Sequence, residues 1–265
     1  MTDGLAAVDG HYSRPDLSTV LLDALRAAGL DPGALRPDDL TPFEEFHTGG
    51  RPETADLAEK AGIGPGMRVL DVGCGLGGPA RFLARTYGCT VTGVDAATEF
   101  VTAGTMLTER VGQAGAVTIL RADALDLPFP DASFDAAWTQ HVSMNIADKA
   151  AFYRSIRRVL RPGGRLAFHD FVAGDGRPIH FPVPWAESED LSFLATADET
   201  RDLPSSRFLS MLPSFSRTPG TYRWRPSEGP AGGGRPWVMR RNAMPSAERS
   251  AHAISANPAP RSRSR

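Results

Sequence analysis

Two acidic residues and the glycine-rich turn between them have the residue types and spacing of a nucleoside-binding site. Asp71 lies in a short apolar run that leads into the turn. The turn contains Gly73, Cys74, Gly75 and Gly77. A strand that turns through glycines into a helix brings backbone N–H groups and the helix N-terminus to one point. Asp95 ends a second apolar run twenty residues after Gly75, where a carboxylate suits the two hydroxyls of a ribose.

The acidic residue before the turn indicates which nucleoside derivative would bind. Gly73, Gly75 and Gly78 match the G-x-G-x-x-G pattern of dinucleotide sites, which is a weak signal when taken by itself. The Asp71 carboxylate would repel a pyrophosphate, but it suits a cationic amino group. S-adenosylmethionine has a ribose, a sulfonium and an ammonium, and no phosphate. We therefore expect Asp71 to bind the ammonium, the glycine backbone to bind the carboxylate end, and Asp95 to bind the ribose.

These residues also resemble a known family. Residues 71–81 resemble motif I of the class I S-adenosylmethionine-dependent methyltransferases, and the resemblance covers roughly residues 10 to 200. Stretches 45–47, 138–141 and 181–186 resemble the sarcosine/dimethylglycine N-methyltransferase group and its small-molecule relatives. The resemblance implies S-adenosylmethionine as the cofactor and a small-molecule methyl acceptor as the partner.

Apolar runs that alternate with helical patterns predict an α/β fold. The predicted strands are 68–73, 90–95, 117–121, 134–139 and 166–171, with helices at 78–87, 99–111 and 149–160. Strands separated by helices indicate βαβ units, hence a Rossmann-like, doubly wound, mostly parallel sheet with helices on both faces. Two further helices are predicted at 17–28 and 53–61. The loop at 40–50 between them is expected either to cover the methyl-acceptor site as a lid or to pack its phenylalanines on the core. The predicted segments are therefore an N-terminal helical lid at 1–60, a cofactor-binding core at 61–203 and a tail at 204–265.

Polar side chains follow the predicted strands at their carboxyl ends, where ligands of such sheets bind. Asp123, with the Ala124 backbone nearby, is expected to contact the adenine, although a turn-capping role is the alternative. Gln140 follows strand four, where the methyl acceptor should meet the sulfonium, and we assign it to the cofactor site. His141 could orient or deprotonate a nucleophile because the unperturbed pKa of histidine is near neutral. A structural histidine is the alternative.

The reaction asks mainly for alignment of the donor and acceptor and for exclusion of water, because the sulfonium already carries a good leaving group. An amine acceptor must be neutral when it attacks, whereas a carbon or oxygen acceptor needs a base. His141, His47 and Glu45 are the candidate catalytic residues. The six histidines are scattered without the spacing of metal ligands, so no metal site is predicted.

Bulk properties bound the class of protein. Hydrophobic residues make up 41% of the chain, yet no apolar run is long enough to span a membrane, and no secretory leader is recognised. Two cysteines, Cys74 and Cys89, do not suggest a disulfide framework. We expect a cytoplasmic protein. The acidic body lacks a basic stripe, so a nucleic-acid partner is not expected.

The composition changes abruptly at Pro204. Residues 1–203 contain 18 Lys and Arg against 29 Asp and Glu, whereas residues 204–265 contain 11 Arg and 2 Glu. The 62-residue tail also contains nine prolines and eleven serines, a composition typical of disorder. The family resemblance implies two further antiparallel edge strands, for which no pattern is recognised. Either the tail is a basic extension that binds nucleic acid or acidic partners, or a reading-frame shift near residue 203 has replaced the true C-terminus. We favour the frame shift, because the resemblance ends in the middle of a predicted helix.

The sequence thus favours methyl transfer from S-adenosylmethionine to a small molecule, with an amine such as sarcosine or dimethylglycine as a candidate acceptor. One alternative is a catalytically impaired remnant that only binds the cofactor. Another is an NAD-dependent oxidoreductase, against which Asp71 and the missing catalytic Tyr/Lys or His/Asp pattern weigh.

Overall fold

Five parallel strands form the centre of the fold, and their order is β3-β2-β1-β4-β5. The strands are β1 Arg68–Val72, β2 Thr90–Asp95, β3 Val117–Arg121, β4 Phe134–Gln140 and β5 Leu160–His169. The chain moves outward from β1 through β2 to β3 and then returns to the other side of β1. The sheet is therefore doubly wound, as predicted, and it has a topological switch point between β1 and β4.

The computed structural model describes residues 16–45, 47–174, 179–202, 222–226 and 237–241. It divides into two compact units, Met1–Leu212 and Pro213–Arg265. The helices of the first unit are α1 Leu17–Ala27, α2 Thr41–Glu44, α3 Gly50–Ala61, α4 Gly78–Tyr87, α5 Thr98–Arg110, α6 Lys149–Val159 and α7 Ala197–Asp202. In the described part of the chain, no helix is long and apolar enough to cross a membrane.

Helices cover both faces of the sheet because the strand side chains on both faces are apolar. On one face, Trp138 of β4 packs in a cluster with Ala58 of α3 and Leu83 of α4. On the other face, Leu70 of β1 packs with Phe152 of α6. All seven residues of β4 are buried, which fits a central strand of a parallel sheet.

The last strand of the sheet begins earlier than predicted. The sequence predicts a turn at 161–164 and a strand at 166–171, but β5 spans Leu160–His169. The pairing with β4 shifts register between Phe134 and Ala136, which pair with Leu160 and Arg165 respectively. The glycine-containing turn is thus an irregularity inside the strand. Among the described strands, β5 pairs only with β4.

Two short strands lie in the tail, whose composition predicted disorder. β6 Tyr222–Pro226 and β7 Trp237–Arg241 form an antiparallel two-stranded sheet in the second unit. The alternation Tyr-Arg-Trp-Arg at 222–225 is a strand pattern that the high arginine and proline content obscured. These ten residues differ from the prediction; the rest of 203–265 lies outside the described residues.

A buried ion pair fixes the N-terminal segment to the core. The Glu44 and Arg81 side chains are 2% and 3% exposed, and their Oε2 and guanidinium NH2 atoms lie 2.5 Å apart. Arg81 also donates to Thr108 Oγ1 at 2.8 Å. A Cβ added to Gly78 would lie 2.8 Å from the Glu44 carbonyl oxygen. The segment that contains α2 therefore packs directly on the helix that follows the glycine turn.

Replacing one member of this pair should destabilise the fold, because the other would remain buried as an unpaired charge. We expect Glu44→Leu to lower the free energy of unfolding by about 3–5 kcal/mol. The double variant Glu44→Leu/Arg81→Met should recover most of this loss, since it leaves neither charge behind. Urea denaturation followed by circular dichroism measures both effects.

The control is Asp131→Asn, which removes an ion pair with Arg158 from a side chain that is 78% exposed. Its effect should be under about 1 kcal/mol. A single Glu44→Leu variant as stable as this control would show that the ion pair does not hold the segment.

Candidate functional site

The glycine turn is tied to the end of β2. The backbone N–H groups of Gly73 and Cys74 both donate to the Val94 carbonyl oxygen, at 2.8 and 3.0 Å. Gly75 N donates to Asp95 Oδ2 at 2.8 Å, and Ala97 N donates to Asp95 Oδ1 at 3.0 Å. A carboxylate oxygen can accept more than one hydrogen bond, so this arrangement is compatible with the predicted ribose contact. The glycine turn and Asp95, which the sequence assigned to one site, are therefore adjacent.

Three glycines of the turn have positive φ, and only one of these three faces open space. Gly73, Gly75 and Gly77 have φ values of 74°, 52° and 77°. An added Cβ would approach a Val142 methyl at Gly73 and lie 2.5 Å from Ile119 Cδ1 at Gly77. At Gly75 it would meet nothing within 4 Å. Gly75 is therefore the point where a ligand can approach the backbone closely.

The Cys74 side chain packs into the core. Its Sγ atom would lie 2.8 Å from a Cβ added to Gly93 of β2, and the residue is 5% exposed. Burial raises the pKa of the thiol well above its usual range. Any contact between Cys74 and a cofactor would thus involve the backbone, whose carbonyl oxygen already accepts from Gly77 N at 2.8 Å.

Asp71 is a buried acid, and one of its carboxylate oxygens has no hydrogen-bond partner in the described part of the chain. The residue is 2% exposed, and its Oδ2 atom has no hydrogen-bond partner there. Burial, reinforced by the negative charge of Asp95, raises the pKa of Asp71 to about 8. A buried carboxyl group with an unpaired oxygen is costly unless a ligand completes it. This position fits the ammonium group of S-adenosylmethionine.

The predicted adenine-binding residues lie beside the end of β2. Ala122 N donates to the Asp95 carbonyl oxygen at 3.0 Å, which places the following residue close to the ribose candidate. Asp123 Oδ1 accepts from Leu125 N at 2.8 Å. The Asp123 side chain therefore caps a turn, which is the alternative role given in the sequence analysis. Ala124 packs against the apolar cluster on the α6 face. The adenine contact stays a prediction.

Gln140 ends β4 on the same sheet face as Asp71. Its Oε1 atom accepts from Trp138 Nε1 at 3.0 Å and from Thr54 Oγ1 at 3.4 Å. Its Nε2 atom is buried and has no partner among the described residues. Gln140 pairs in register with His169 of β5. Thr54 was not recognised from the sequence, because a threonine in the middle of a helix carries no functional signal.

The structure brings together the predicted catalytic residues Glu45 and His47. His47 Nε2 lies 2.9 Å from Glu45 Oε2 and 3.0 Å from Thr54 Oγ1. Glu45 Oε1 lies 3.2 Å from Arg51 Nε. Burial opposes ionisation of Glu45, but hydrogen bonds and charges from His47 and Arg51 outweigh it and lower the pKa. Glu45 is therefore an ionised carboxylate whose Oε2 atom lies beside the His47 ring.

His141, the third predicted catalytic residue, lies between two other histidines. Its ring centroid is 6.2 Å from that of His47, 5.0 Å from that of His169 and 4.6 Å from that of Phe171. Phe171 in turn stacks on Trp185 at 4.8 Å. We call His47, His141, His169, Phe171 and Trp185 the ring wall.

The charge state of His141 differs from the expectation. Burial, followed by the charges of His169 and His47, lowers the pKa of His141 to about 3, below the near-neutral value of an unperturbed histidine. His141 is a neutral imidazole at physiological pH. In the described part of the chain, no group of three or more His, Cys, Asp or Glu side chains has a geometry suited to a metal.

Asp170 fixes the loop after β4 from the opposite face of the sheet. Its Oδ1 atom accepts from Val142 N at 2.9 Å and from Ser143 N at 3.2 Å. Burial raises the pKa of Asp170 to about 7. His141 immediately precedes this loop, and its own N–H donates to the His169 carbonyl oxygen at 2.8 Å. Asp170 thus supports the position of His141 through the backbone of the loop that follows it.

Comparisons with known proteins agree with this architecture. The methyltransferase-domain family matches residues 70–168. An O-methyltransferase of Pyrenophora dematioidea is 30% identical over 203 residues, which cover 76% of this chain and 73% of that protein. The solved [4+2]-cyclase SpnF is 29% identical, with a TM-score of 0.55 over 76% of this chain and 69% of its own.

Other relatives match over shorter regions. A sterol 24-C-methyltransferase of Yarrowia lipolytica is 41% identical over 119 residues, 45% of this chain and 31% of that protein. A glycine/sarcosine/dimethylglycine N-methyltransferase of Actinopolyspora halophila is 34% identical over 135 residues, 51% of this chain and 24% of that protein. The chain thus spans a third or less of the length of these two relatives.

The relative that aligns over most of both chains, the matched domain and the cofactor-site geometry lead to the same assignment: the chain belongs to the class I S-adenosylmethionine-dependent methyltransferases.

Proposed function

We propose that the protein transfers a methyl group from S-adenosylmethionine to a small-molecule acceptor bound against the ring wall. The observation that carries the proposal is the buried Asp71 carboxyl group, whose Oδ2 atom lacks a partner among the described residues beside the open Gly75. A cation is needed there, and S-adenosylmethionine has an ammonium. The ring wall stands on the neighbouring strand ends, where an acceptor can meet the donor.

Each cofactor-side residue has a defined task. Asp71 binds the ammonium, the backbone at Gly75 approaches the amino-acid end, and Asp95 binds the ribose hydroxyls while the turn holds its carboxylate in place. Asp123 is placed to bind the adenine, beside the end of β2. When bound, S-adenosylmethionine supplies a methyl group activated by the sulfonium. The chain contributes alignment of the reactants and exclusion of water.

On the acceptor side, His47 is the better placed proton acceptor. Glu45 lies 2.9 Å from its Nε2 atom and stabilises the imidazolium that forms when a proton is taken up. His141 resists protonation and serves to position the acceptor, since its pKa is about 3. An amine such as sarcosine or dimethylglycine is a candidate acceptor, supported by the resemblance of residues 45–47, 138–141 and 181–186. An oxygen acceptor is supported by the O-methyltransferase relative.

The similarity to SpnF favours a second candidate function. SpnF is a [4+2]-cyclase, and it matches 76% of this chain. A protein with a similar fold and a related sequence can therefore catalyse a reaction other than methyl transfer. In that case the protein would bind its substrate against the ring wall and release it without an added methyl group.

Calorimetric titration tests the cofactor. We expect S-adenosylmethionine to bind with a Kd in the micromolar range, on the order of −8 kcal/mol, and NADH not to bind. Incubation with methyl-labelled S-adenosylmethionine and a panel of small molecules then separates methyl transfer from cyclisation. Folded protein that binds neither nucleotide would refute the proposed function, and binding of NADH in place of S-adenosylmethionine would favour the oxidoreductase.

Asp71 should make cofactor binding depend on pH. Its pKa is about 8 in the ligand-free protein, and the ammonium of the ligand favours the ionised form. Below pH 8, binding must therefore release the proton of Asp71, so affinity should rise from pH 6 to pH 8 by up to about tenfold per pH unit. Calorimetry at pH 6, 7 and 8 measures the slope.

The variant Asp71→Asn should bind about tenfold or more weakly at pH 8 and lose most of the slope, because the charged partner of the ammonium is gone. Asp131→Asn, which changes an exposed carboxylate, should keep both the affinity and the slope. Equal slopes in Asp71→Asn and the native protein would show that Asp71 does not bind the ammonium.

A further inference from the structure

The ring wall presents a rigid and accessible aromatic surface. Phe171 and Trp185 stack with an interplanar angle of 26°, and both are partly exposed. Trp185 Nε1 donates to Ser192 Oγ at 3.0 Å, which fixes the orientation of the indole. His141 and His169 extend the surface and are also partly exposed. A flat ligand can stack on such a surface with little loss of conformational freedom.

Two of the imidazoles of this wall, those of His141 and His169, are uncharged at neutral pH. The pKa of His141 is about 3, and burial also lowers the pKa of His169. An anionic ligand therefore finds no imidazolium at either ring at neutral pH. This property distinguishes the wall from a site built to bind a carboxylate.

Carboxylates dominate the charged groups around the wall. Glu45 lies against His47, and the negative charge of Glu53 acts on His169. The guanidinium of Arg51 already lies within 3.0–3.3 Å of oxygens of Asp38, Glu44 and Glu45. In the described part of the chain, the hydrogen bonds and ion pairs of Glu45 and His47 include no arginine or lysine other than Arg51. The carboxylate of an amino-acid acceptor would thus meet negative charge and an already occupied cation.

Two buried polar atoms at the base of the wall need a partner. Gln140 Nε2 and His169 Nδ1 have no hydrogen-bond partner within the described ranges, and their residues pair in register on adjacent strands. Residues that pair in register on adjacent strands project their side chains from the same face of the sheet. The amide nitrogen can only donate, whereas a neutral imidazole nitrogen donates or accepts. A hydroxyl group, which does both, complements this pair.

We infer that the methyl acceptor is an uncharged, flat molecule of the phenol class, methylated on its hydroxyl oxygen; this rests on the proposed methyl-transfer function. An electron pair of the hydroxyl oxygen forms the new O–CH₃ bond. The carbon–sulfur bond breaks with its electron pair remaining on sulfur, which leaves S-adenosylhomocysteine. The hydroxyl proton passes to His47, and the Glu45 carboxylate stabilises the resulting imidazolium.

A pair of probes that differ in charge tests the inference. Methyl 4-hydroxybenzoate is neutral, whereas 4-hydroxybenzoate carries a carboxylate on the same ring; sarcosine represents the amino-acid acceptors. Calorimetry with protein saturated with S-adenosylhomocysteine should show the neutral ester binding about tenfold or more tightly than the other two. Mass spectrometry after incubation with S-adenosylmethionine should detect the aryl methyl ether.

Gln140 and Thr139, neighbouring residues of β4, provide a matched pair of variants, and Phe171 provides a third. Gln140→Met removes the amide at the base of the wall, and Phe171→Leu removes a flat ring from a partly exposed position. Gln140→Met and Phe171→Leu should each weaken binding of the ester by about tenfold. Thr139→Val is the control, because Thr139 is also buried with an unpartnered Oγ1 atom in the described structure but projects from the opposite face. It should leave ester binding unchanged.

The outcomes separate this inference from the proposed function. Binding of S-adenosylmethionine combined with equal or tighter binding of 4-hydroxybenzoate or sarcosine, or with N-methylation of sarcosine, would overturn the phenol-class acceptor only. Equal losses in Thr139→Val and Gln140→Met would also overturn it. Failure to bind S-adenosylmethionine would remove the proposed function, and this inference with it.

Discussion

The buried carboxyl group of Asp71 is the constraint on which the rest of the site depends. It lies in a central strand, beside Asp95, where both burial and like charge disfavour its ionisation. Only a cation delivered to that point makes the ionised form favourable. The open approach at Gly75 gives such a ligand access to the backbone beside the acid. The buried carboxyl group therefore destabilises the ligand-free protein, and it also makes the site selective for a positively charged nucleoside.

A line of alternating charges connects this cofactor site to the acceptor site. Arg81, in the helix after the glycine turn, binds Glu44, and Arg51 then joins Glu44 to Glu45. Glu45 is the residue that faces His47. The segment that carries the predicted catalytic residues is therefore positioned by the same helix whose N-terminus meets the cofactor. Under the proposed function, this one set of ionic contacts would align the donor with the acceptor.

The order of strands and helices followed from local patterns, because hydrophobic period and glycine position are properties of neighbouring residues. The sequence positions of Asp71, Gly75 and Asp95 also followed from local patterns. The charge state of His141 could not be predicted in this way, since it results from burial against residues distant in sequence. The contact between His47 and Thr54 depends on how the segment before α3 folds back onto that helix. The early start of β5 was missed because a proline-glycine turn is ordinarily a strand boundary and here is an irregularity within one.

Resemblance and electrostatics lead to different acceptors from the same residues. The stretches 45–47, 138–141 and 181–186 suggested an amino-acid amine, and the structure does bring Glu45, His141 and Trp185 to one region. What they form there is a set of aromatic rings bordered by carboxylates, in which the His141 and His169 imidazoles are neutral. Sequence similarity indicates the fold that places side chains at the strand ends. The choice of acceptor, in contrast, depends on the charges that remain uncompensated once the chain has folded. At this wall the excess charge is negative, and a carboxylate-bearing substrate would have to overcome it.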